Sequence, residues 1–553
     1  MAAYEMTYRS SSEADVETLT PNFGDRQVQT FGNPRASALH YHFDLGNLWA
    51  RSWRASDRGR PFGSRGRSFS PLHRRRHTKL CKALLIITNV LLAFGLLSLL
   101  NGLLQPSYMH PPIHYGDLKK NVVESNRNGR GNPNNEKVFI AANIINEELI
   151  RGSWGVSLLE LVGILGKENV FVSIYENDSG DGTRDALLKL EKELPCEYEP
   201  INSLGASLTY NGQGNSSVVA GDHIALSKFP PVALPSGQMR TKRLIYLAEV
   251  RNRAILPLSQ GPEIDQWAQK HPEFKQATGH FDRILFLNDV YFKPIEAVQL
   301  LFSTNMGPSG RAEYSAACAI DFVAKNFFYD SFVVRDMEGY GVGLNFYPWF
   351  QASGNAQSRN DVLSQKDAVR VRSCWGGMAA FDASIFQPHV GSHNVTIPAL
   401  RFRSSPEPFW EAAECCLLFA DVEVRRSILR EQDAGVFVNP FIRVAYSQAT
   451  WDWLPFWRRY ERIFQFVQYF VSKIGYPEHN PRRTHAAGSL VQEKVWIPNE
   501  HAKQWGSFEI VNRIADAGGF CGQRRMFVMK DDLEKANSNG WGKNWEVVKV
   551  PLG

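Results

Sequence analysis

The sequence predicts an α/β fold carried behind a single N-terminal transmembrane helix. Three observations predict it. From residue 137 onward, short β-rich runs alternate with runs of helical periodicity. One segment, VFVSIYENDSGDGTR (residues 170–184), passes from a buried-strand pattern into an acidic, glycine-bearing loop, and a helix pattern follows. Residues 83–104, ALLIITNVLLAFGLLSLLNGLL, contain no charged side chain and are long enough to cross a hydrocarbon core.

Composition sets the outer bounds. The chain has 553 residues, 43% hydrophobic and 21% charged, which allows two or more domains. Its net charge of +6 is unevenly placed. Residues 1–82 hold 12 Arg and 2 Lys against 7 Asp and Glu, so this tail carries +7 and the rest of the chain −1. The basic bias is the tail's own, which argues against a nucleic-acid-binding protein. Seven cysteines (81, 196, 318, 374, 415, 416 and 521) show no metal-knuckle spacing. An oxidising lumen would permit one or two disulfides, whose pairing the sequence leaves open.

Taken in order, residues 1–82 read as a disordered basic cytosolic tail, rich in Ser, Arg and Gly. Residues 83–104 read as a signal anchor. Arg74, Arg75, Arg76, Lys79 and Lys82 precede it, and only Lys119 and Lys120 follow soon after, so the positive-inside rule places the remainder in a lumen or outside. Residues 105–135, with Pro106, Pro111, Pro112 and SNRNGRGNPNNE, read as an unpacked stem. The main domain spans 136–446. KVFIAANIINE opens it as a strand with a polar end, and residues 151–167 form a helix. The strand at 170–174, its loop, and a helix over 185–194 complete a right-handed parallel unit. Residues 201–240 read as an insertion and 243–258 as a helix. Residues 284–287 read as a short buried strand, 369–383 as a strand broken at Gly376 and Gly377, and 411–426 as a helix. Residues 447–553 form a C-terminal extension packed on that domain. Its aromatic run at 451–470 suits core or a membrane-facing surface better than a sugar platform.

The residues that could carry chemistry cluster at predicted strand ends, where α/β sheets bind ligands. Glu176, Asn177, Asp178 and Asp181 offer side-chain oxygens suited to the base and ribose of a nucleotide or to a metal; an ordinary βα turn is the competing reading. Asp289 closes an apolar run, where a carboxylate needs a partner such as a hard divalent ion or a turn amide. Asp321 also follows an apolar strand, and Asp336 sits beside Arg335. Arg251 and Arg253 could clamp a diphosphate, or stand as exposed helix arginines. Trp375-Gly376-Gly377 lets a flat ring or sugar approach the backbone, or makes a bulge. Asn215 and Asn394 head N-glycosylation acceptor triplets, as does Asn177 inside the acidic loop.

The ordered set YENDSGDGT, LAEVRNRA, FLNDVYF, AIDF, YDSFVVRD, SCWGGMAAFDA and ECCLLFADV resembles the fungal cryptococcal-type α-1,3-mannosyltransferases, glycosyltransferase family 69, over residues 137–446. The resemblance implies a GT-A-like nucleotide-sugar-binding fold, GDP-mannose as donor, a mannose-containing glycan acceptor, Mn2+ or Mg2+, and retention of configuration. It also implies a single-pass type II enzyme of the Golgi membrane with a lumenal catalytic domain. The metal motif falls on Asn288-Asp289-Val290, which leaves Asp289 as principal ligand and Asn288 at the nucleotide. Glu176, Asn177, Asp178, Asp181 and Arg251 would contact the donor. Trp375, Gly376 and Gly377 would face the acceptor, with Glu414, Asp321 and Asp336 as catalytic carboxylates. The Asn at 288 keeps two alternatives open: another nucleotide sugar, or a membrane-anchored carbohydrate-binding protein without turnover.

Overall fold

The computed structural model describes residues 71–177, 179, 181–197, 216–324, 327–390, 396–429, 434–475, 480–502, 505–530 and 544–551. The tail up to residue 70, Asp178, Gly180, Asn215 and Asn394 lie outside these. Of the described residues, those up to 97 belong to one unit and those from 98 onward to another. Helix α1 (Pro71–Leu104) contains the apolar stretch Lys82–Leu104, 23 residues, long enough to cross a membrane.

Among the described residues of the second unit, nine strands form one sheet. The parallel part comprises β1 (Val138–Ala142), β2 (Val170–Tyr175), β3 (Ser216–Val219) and β4 (Arg283–Leu287), in the order β3-β2-β1-β4. Every β1 residue, VFIAA, is buried, because helices or loops cover both faces; this is why the strand reads as a continuous apolar run. Ala142 pairs with both Ile174 and Leu287, so β2, β1 and β4 end level with one another. Helices α2 (Ile113–Glu124), α3 (Ser153–Leu165), α4 (Thr183–Glu193), α5 (Arg243–Ala254) and α6 (Pro294–Ser303) surround them. α3 packs on α6, and α5 packs on β2. The α/β expectation is met.

The other part of the sheet is mixed. β5 (Ala316–Ala324), β6 (Val369–Val371), β7 (Met378–Asp382) and β8 (Val436–Ala445) continue the order as β4-β7-β5-β8-β6, with the short strand Phe327–Phe328 paired to β5. β7 runs antiparallel between β4 and β5. The segment expected as one broken strand is therefore two strands with different neighbours. Gly376 and Gly377, at φ +61° and +68°, turn the chain between them, and a Cβ at Gly376 would lie 1.9 Å from the Ala319 carbonyl oxygen.

Other differences have local causes. Residues 105–135, expected as an unpacked stem, contain α2, whose Tyr115, Leu118 and Val122 are buried at helical spacing. Gln299 Nε2 donates to the Tyr115 carbonyl at 3.3 Å, tying α2 to α6. The insertion expected at 201–240 contributes β3 to the sheet edge. Helix α7 (Glu414–Leu429) begins three residues later than expected, because Glu411–Ala412 pairs as a strand with Gly522–Gln523. In the C-terminal extension, α8 (Gln448–Tyr460) and α9 (Phe464–Gly475) precede a hairpin of Leu490–Pro498 with Gly506–Ile514. Disulfides join Cys318 to Cys374 and Cys416 to Cys521, so the extension is covalently tied to α7.

Candidate active site at the carboxyl ends of the parallel strands

Because β1, β2 and β4 end level, the residues just past them meet. Asn143 follows β1, Asn177 follows β2 and Asp289 follows β4. With Tyr175, Val250 and Arg251 they line a small cavity of about 30 Å³. Asn143 Nδ2 donates to the carbonyls of Tyr175 and Val250, at 3.1 and 3.0 Å. Its buried Oδ1 accepts no hydrogen bond among the described residues. A buried acceptor left unpaired in this way costs about 1–3 kcal/mol, and it marks a place where a ligand donor or a cation would be favourable.

The acidic loop divides its work. Glu176, 1% exposed, accepts from the backbone N–H groups of Ser179 and Gly221. It fixes the loop from inside. Asn177 Oδ1 accepts from Ile224 N at 3.2 Å, and its Nδ2 donates to the Tyr246 hydroxyl. Asp181 is exposed and accepts from Ser179 Oγ at 2.9 Å and from Thr183 N at 2.8 Å, at the start of α4. Asp178 lies outside the described residues.

Asn288, which stands where the motif of the resemblance has a carboxylate, is held by three hydrogen bonds. Its Oδ1 accepts from Trp375 Nε1 at 3.2 Å, its backbone N–H donates to the Gly377 carbonyl at 2.9 Å, and its carbonyl accepts from Trp154 Nε1 at 3.0 Å. Asn288 thus joins β4 to the Trp-Gly-Gly turn. The Arg251 guanidinium lies 4.4 Å from the centre of the Trp375 ring, and Arg251 Nε donates to Glu414 Oε1 at 2.7 Å, with both side chains buried. Arg251, Asn288, Trp375 and Glu414 therefore form one connected group. Arg251 is not the exposed helix arginine of the plain reading. Arg253 is bonded to Glu249 at 2.6 Å and stacked over Trp267.

Behind this group stands a buried carboxylate pair. Tyr446 donates its hydroxyl to Asp321 Oδ2 at 2.9 Å, and Asp330 N donates to Asp321 Oδ1 at 3.1 Å. Gly376 N donates to Asp330 Oδ2 at 2.9 Å. Burial pushes both carboxyls upward, and for Asp330 the charge of Asp321 adds to it. The pair holds Gly376 in place. Asp336 is engaged elsewhere. Its Oδ1 accepts from Glu338 N at 2.9 Å and Tyr340 N at 2.8 Å, closing a turn, and burial pushes its carboxyl up to about 6.

Sequence reasoning passed over Asn143, Tyr246 and Tyr446, and noted Asp330 within YDSFVVRD without giving it a role. Asn143 had a usable signal, since it ends an apolar strand as Asn288 does; Tyr246 and Tyr446 had none, being placed by tertiary packing. Among the described residues no group of three or more His, Cys, Asp or Glu could hold a metal ion. The donor set at the cavity is one carboxylate, Asp289, and the amide oxygen of Asn143. Those hard oxygens fit a Mg2+-like ion that takes its remaining ligands from substrate phosphates and water.

A family model described as Cryptococcal mannosyltransferase 1 matches residues 137–421. Alpha-1,3-mannosyltransferase CMT1 of Cryptococcus neoformans var. neoformans serotype D is 25% identical over 304 residues, 53% of this chain and 54% of that protein. The match thus spans about half the length of that relative. Among solved structures, glucosyl-3-phosphoglycerate synthase from Mycobacterium tuberculosis is similar in two complexes. One holds Mn2+, uridine diphosphate and phosphoglyceric acid (TM-score 0.25, 11% identity, 74% of this chain and 94% of that one). The other holds Mn2+, uridine diphosphate and glucosyl-3-phosphoglycerate (TM-score 0.26, 11% identity, 74% and 96%). A superposition this loose assigns no residue of this chain to a counterpart there.

Proposed function

This chain belongs to the cryptococcal mannosyltransferase family, and from that premise we propose that it moves mannose from GDP-mannose to a mannose-containing glycan, forming an α-1,3 linkage with retention. The observation that carries this reading is the cavity at the level ends of β1, β2 and β4, where the unpaired Asn143 Oδ1 and the Asp289 carboxylate lie beside Arg251. A sugar diphosphate needs hard oxygens for its counter-ion, and Asp289 and Asn143 supply them.

The C1–O bond to the diphosphate breaks, and a new C1–O bond forms to an acceptor hydroxyl, whose proton leaves with a carboxylate or a departing phosphate oxygen. Asp289 would hold Mn2+ or Mg2+, with Asn143 Oδ1 as a second hard donor; bound there, the ion neutralises the charge that develops on the diphosphate. Asn177 and its loop face the nucleoside. Arg251 and Glu414 brace Trp375 at the acceptor side. Asp321 and Asp330 fix the Gly376 amide, so their role is positioning. Golgi localisation as a type II protein is the companion proposal. Its support is the apolar helix with its basic flank, and two disulfides bracketing Trp375 and Glu414, which suit an oxidising lumen.

The test is transfer by the purified full chain in detergent, with GDP-mannose, UDP-glucose and GDP-glucose offered separately alongside α-mannosides. Transfer from GDP-mannose supports the proposal. Turnover with another donor alone would replace the donor, and saturable sugar binding without turnover would favour the carbohydrate-binding reading. That last reading is favoured by one observation: the motif brings a single carboxylate, Asp289, to the cavity.

A further inference from the structure

Helix α9 is inside out. Its buried positions include Gln468 and Ser472, 0% and 3% exposed, whereas Phe466, Val467, Phe470 and Val471 face outward, Phe466 at 56% and Phe470 at 61%. The polar inside has a cause. Gln468 Nε2 donates to the carbonyls of Trp349 and Phe350, at 3.1 and 3.0 Å, and its Oε1 accepts from Arg359. Among the described residues the apolar outside has no such cause. Spacing of i, i+1, i+4 and i+5 puts these four side chains on one stripe, which surrounding water would disfavour. α8 repeats the arrangement: Trp453 and Phe456 are exposed with ring centres 5.4 Å apart, while Leu454 is buried. Arg458, Arg459 and Arg462 follow as a basic edge.

α8 sits where the chain leaves the apolar stretch of α1. The apolar stretch of α1 ends at Leu104. Gly102 is buried, and a Cβ there would lie 2.6 Å from the Tyr460 ring. Just beyond, Ser107 N donates to the Arg458 carbonyl at 3.3 Å, and Arg458 Nε donates back to the Ser107 carbonyl at 3.2 Å. The point at which a membrane-crossing helix would leave hydrocarbon is thus pinned to the end of α8. Aromatic side chains with arginines at their edge are what a bilayer interface selects. Beside them lies a cleft of about 520 Å³ whose lining mixes Trp451 and Arg459 with the Lys293–Glu296 ion pair and Asp452.

We infer that α8 and α9 form a lipid-docking face, lying on the bilayer surface from which the chain emerges and holding the catalytic unit against it. This goes beyond the transfer reaction and rests on α1 crossing the membrane. Full-length protein reconstituted in phosphatidylcholine–phosphatidylserine vesicles tests it. A nitroxide is attached at Phe470→Cys, and at Ile510→Cys on the exposed hairpin as a reference, after subtraction of the signal from the unsubstituted chain. The expected result is several-fold greater collision with oxygen than with a water-soluble nickel chelate at position 470, and the reverse at 510. Equal aqueous exposure at both positions would overturn the inference, as would shielding of 470 from both reagents, which would mean a covering protein. Failure of the chain to float with vesicles would remove the bilayer and the inference together, whereas loss of transfer activity alone would touch only the proposed function.

Discussion

The two halves of the sheet handle buried polar groups in opposite ways. At the ends of β1, β2 and β4, Asn143, Asn177, Arg251 and Asp289 surround an opening, and the Asn143 Oδ1 has no partner among the described residues. Across β7 and β5, Asp321 and Asp330 accept from Tyr446 and from the backbone amides of Asp330 and Gly376. Nearby, Glu414 accepts from Arg251, and two disulfides close the surroundings. The difference teaches how to read such groups. The carboxylates of the second half are taken up by the frame, whereas the open Asn143 acceptor at the strand ends leaves room for a ligand donor or a cation.

If that contrast holds, changes on the antiparallel side should damage stability before chemistry. Cys416→Ser with Cys521→Ser opens a link across 105 residues, and the loss should reach about 4 kcal/mol, read by urea unfolding of the full chain in detergent. Glu414→Gln leaves the Arg251 guanidinium buried over Trp375 without its carboxylate. An expected loss of about 3 kcal/mol in the same assay makes it the next largest effect. An unfolding midpoint equal to that of the unsubstituted chain would mean that Arg251 and Glu414 do not depend on each other.

The buried carboxylates give a pH signature. Their folded values are raised by burial, so the folded state binds protons that the unfolded chain has released. Stability from these groups is present at low pH and falls as pH rises from the ordinary carboxylate range, about pH 4, through the raised folded values. Asp330→Asn keeps an oxygen for the Gly376 amide and removes one titrating group. Its stability should decline less steeply over that window; parallel curves for the two proteins would contradict the pairing. Smallest in stability is Asn143→Ala on the parallel side, about 1 kcal/mol for its two donated hydrogen bonds. Donor affinity should nevertheless fall roughly tenfold, as calorimetric titration would show, and an unchanged affinity would remove Asn143 from the site.

Much of the parallel half was legible in the sequence, because fully covered strands must be apolar throughout and their ends must turn polar. The strand at 170–174 and the helices at 151–167 and 243–258 appear close to where that rule puts them. Asp289 and Asn288 were visible as polar residues interrupting an apolar run. The antiparallel half was not legible in the same way. Nothing local says that 369–383 splits between two neighbours, since the split is made by Gly376 fitting against the Ala319 carbonyl. Tyr446 joins the site only through Asp321, 125 residues away in the chain. The same holds for α2, whose Pro- and Asn-rich surroundings hide a helical stripe of Tyr115, Leu118 and Val122.

The account stands on Asp289 acting at a donor diphosphate. Calorimetric titration of GDP-mannose into the full chain, with and without Mn2+, tests this most directly when run beside Asp289→Asn. The isostere keeps shape and removes one charge. The account predicts that Mn2+ tightens donor binding to the unsubstituted chain and has little effect on the variant, whose turnover falls by about 10²-fold or more while its unfolding midpoint stays close to the original. Equal Mn2+ response and equal turnover in the two proteins would make Asp289 a structural residue and contradict the assignment of the site.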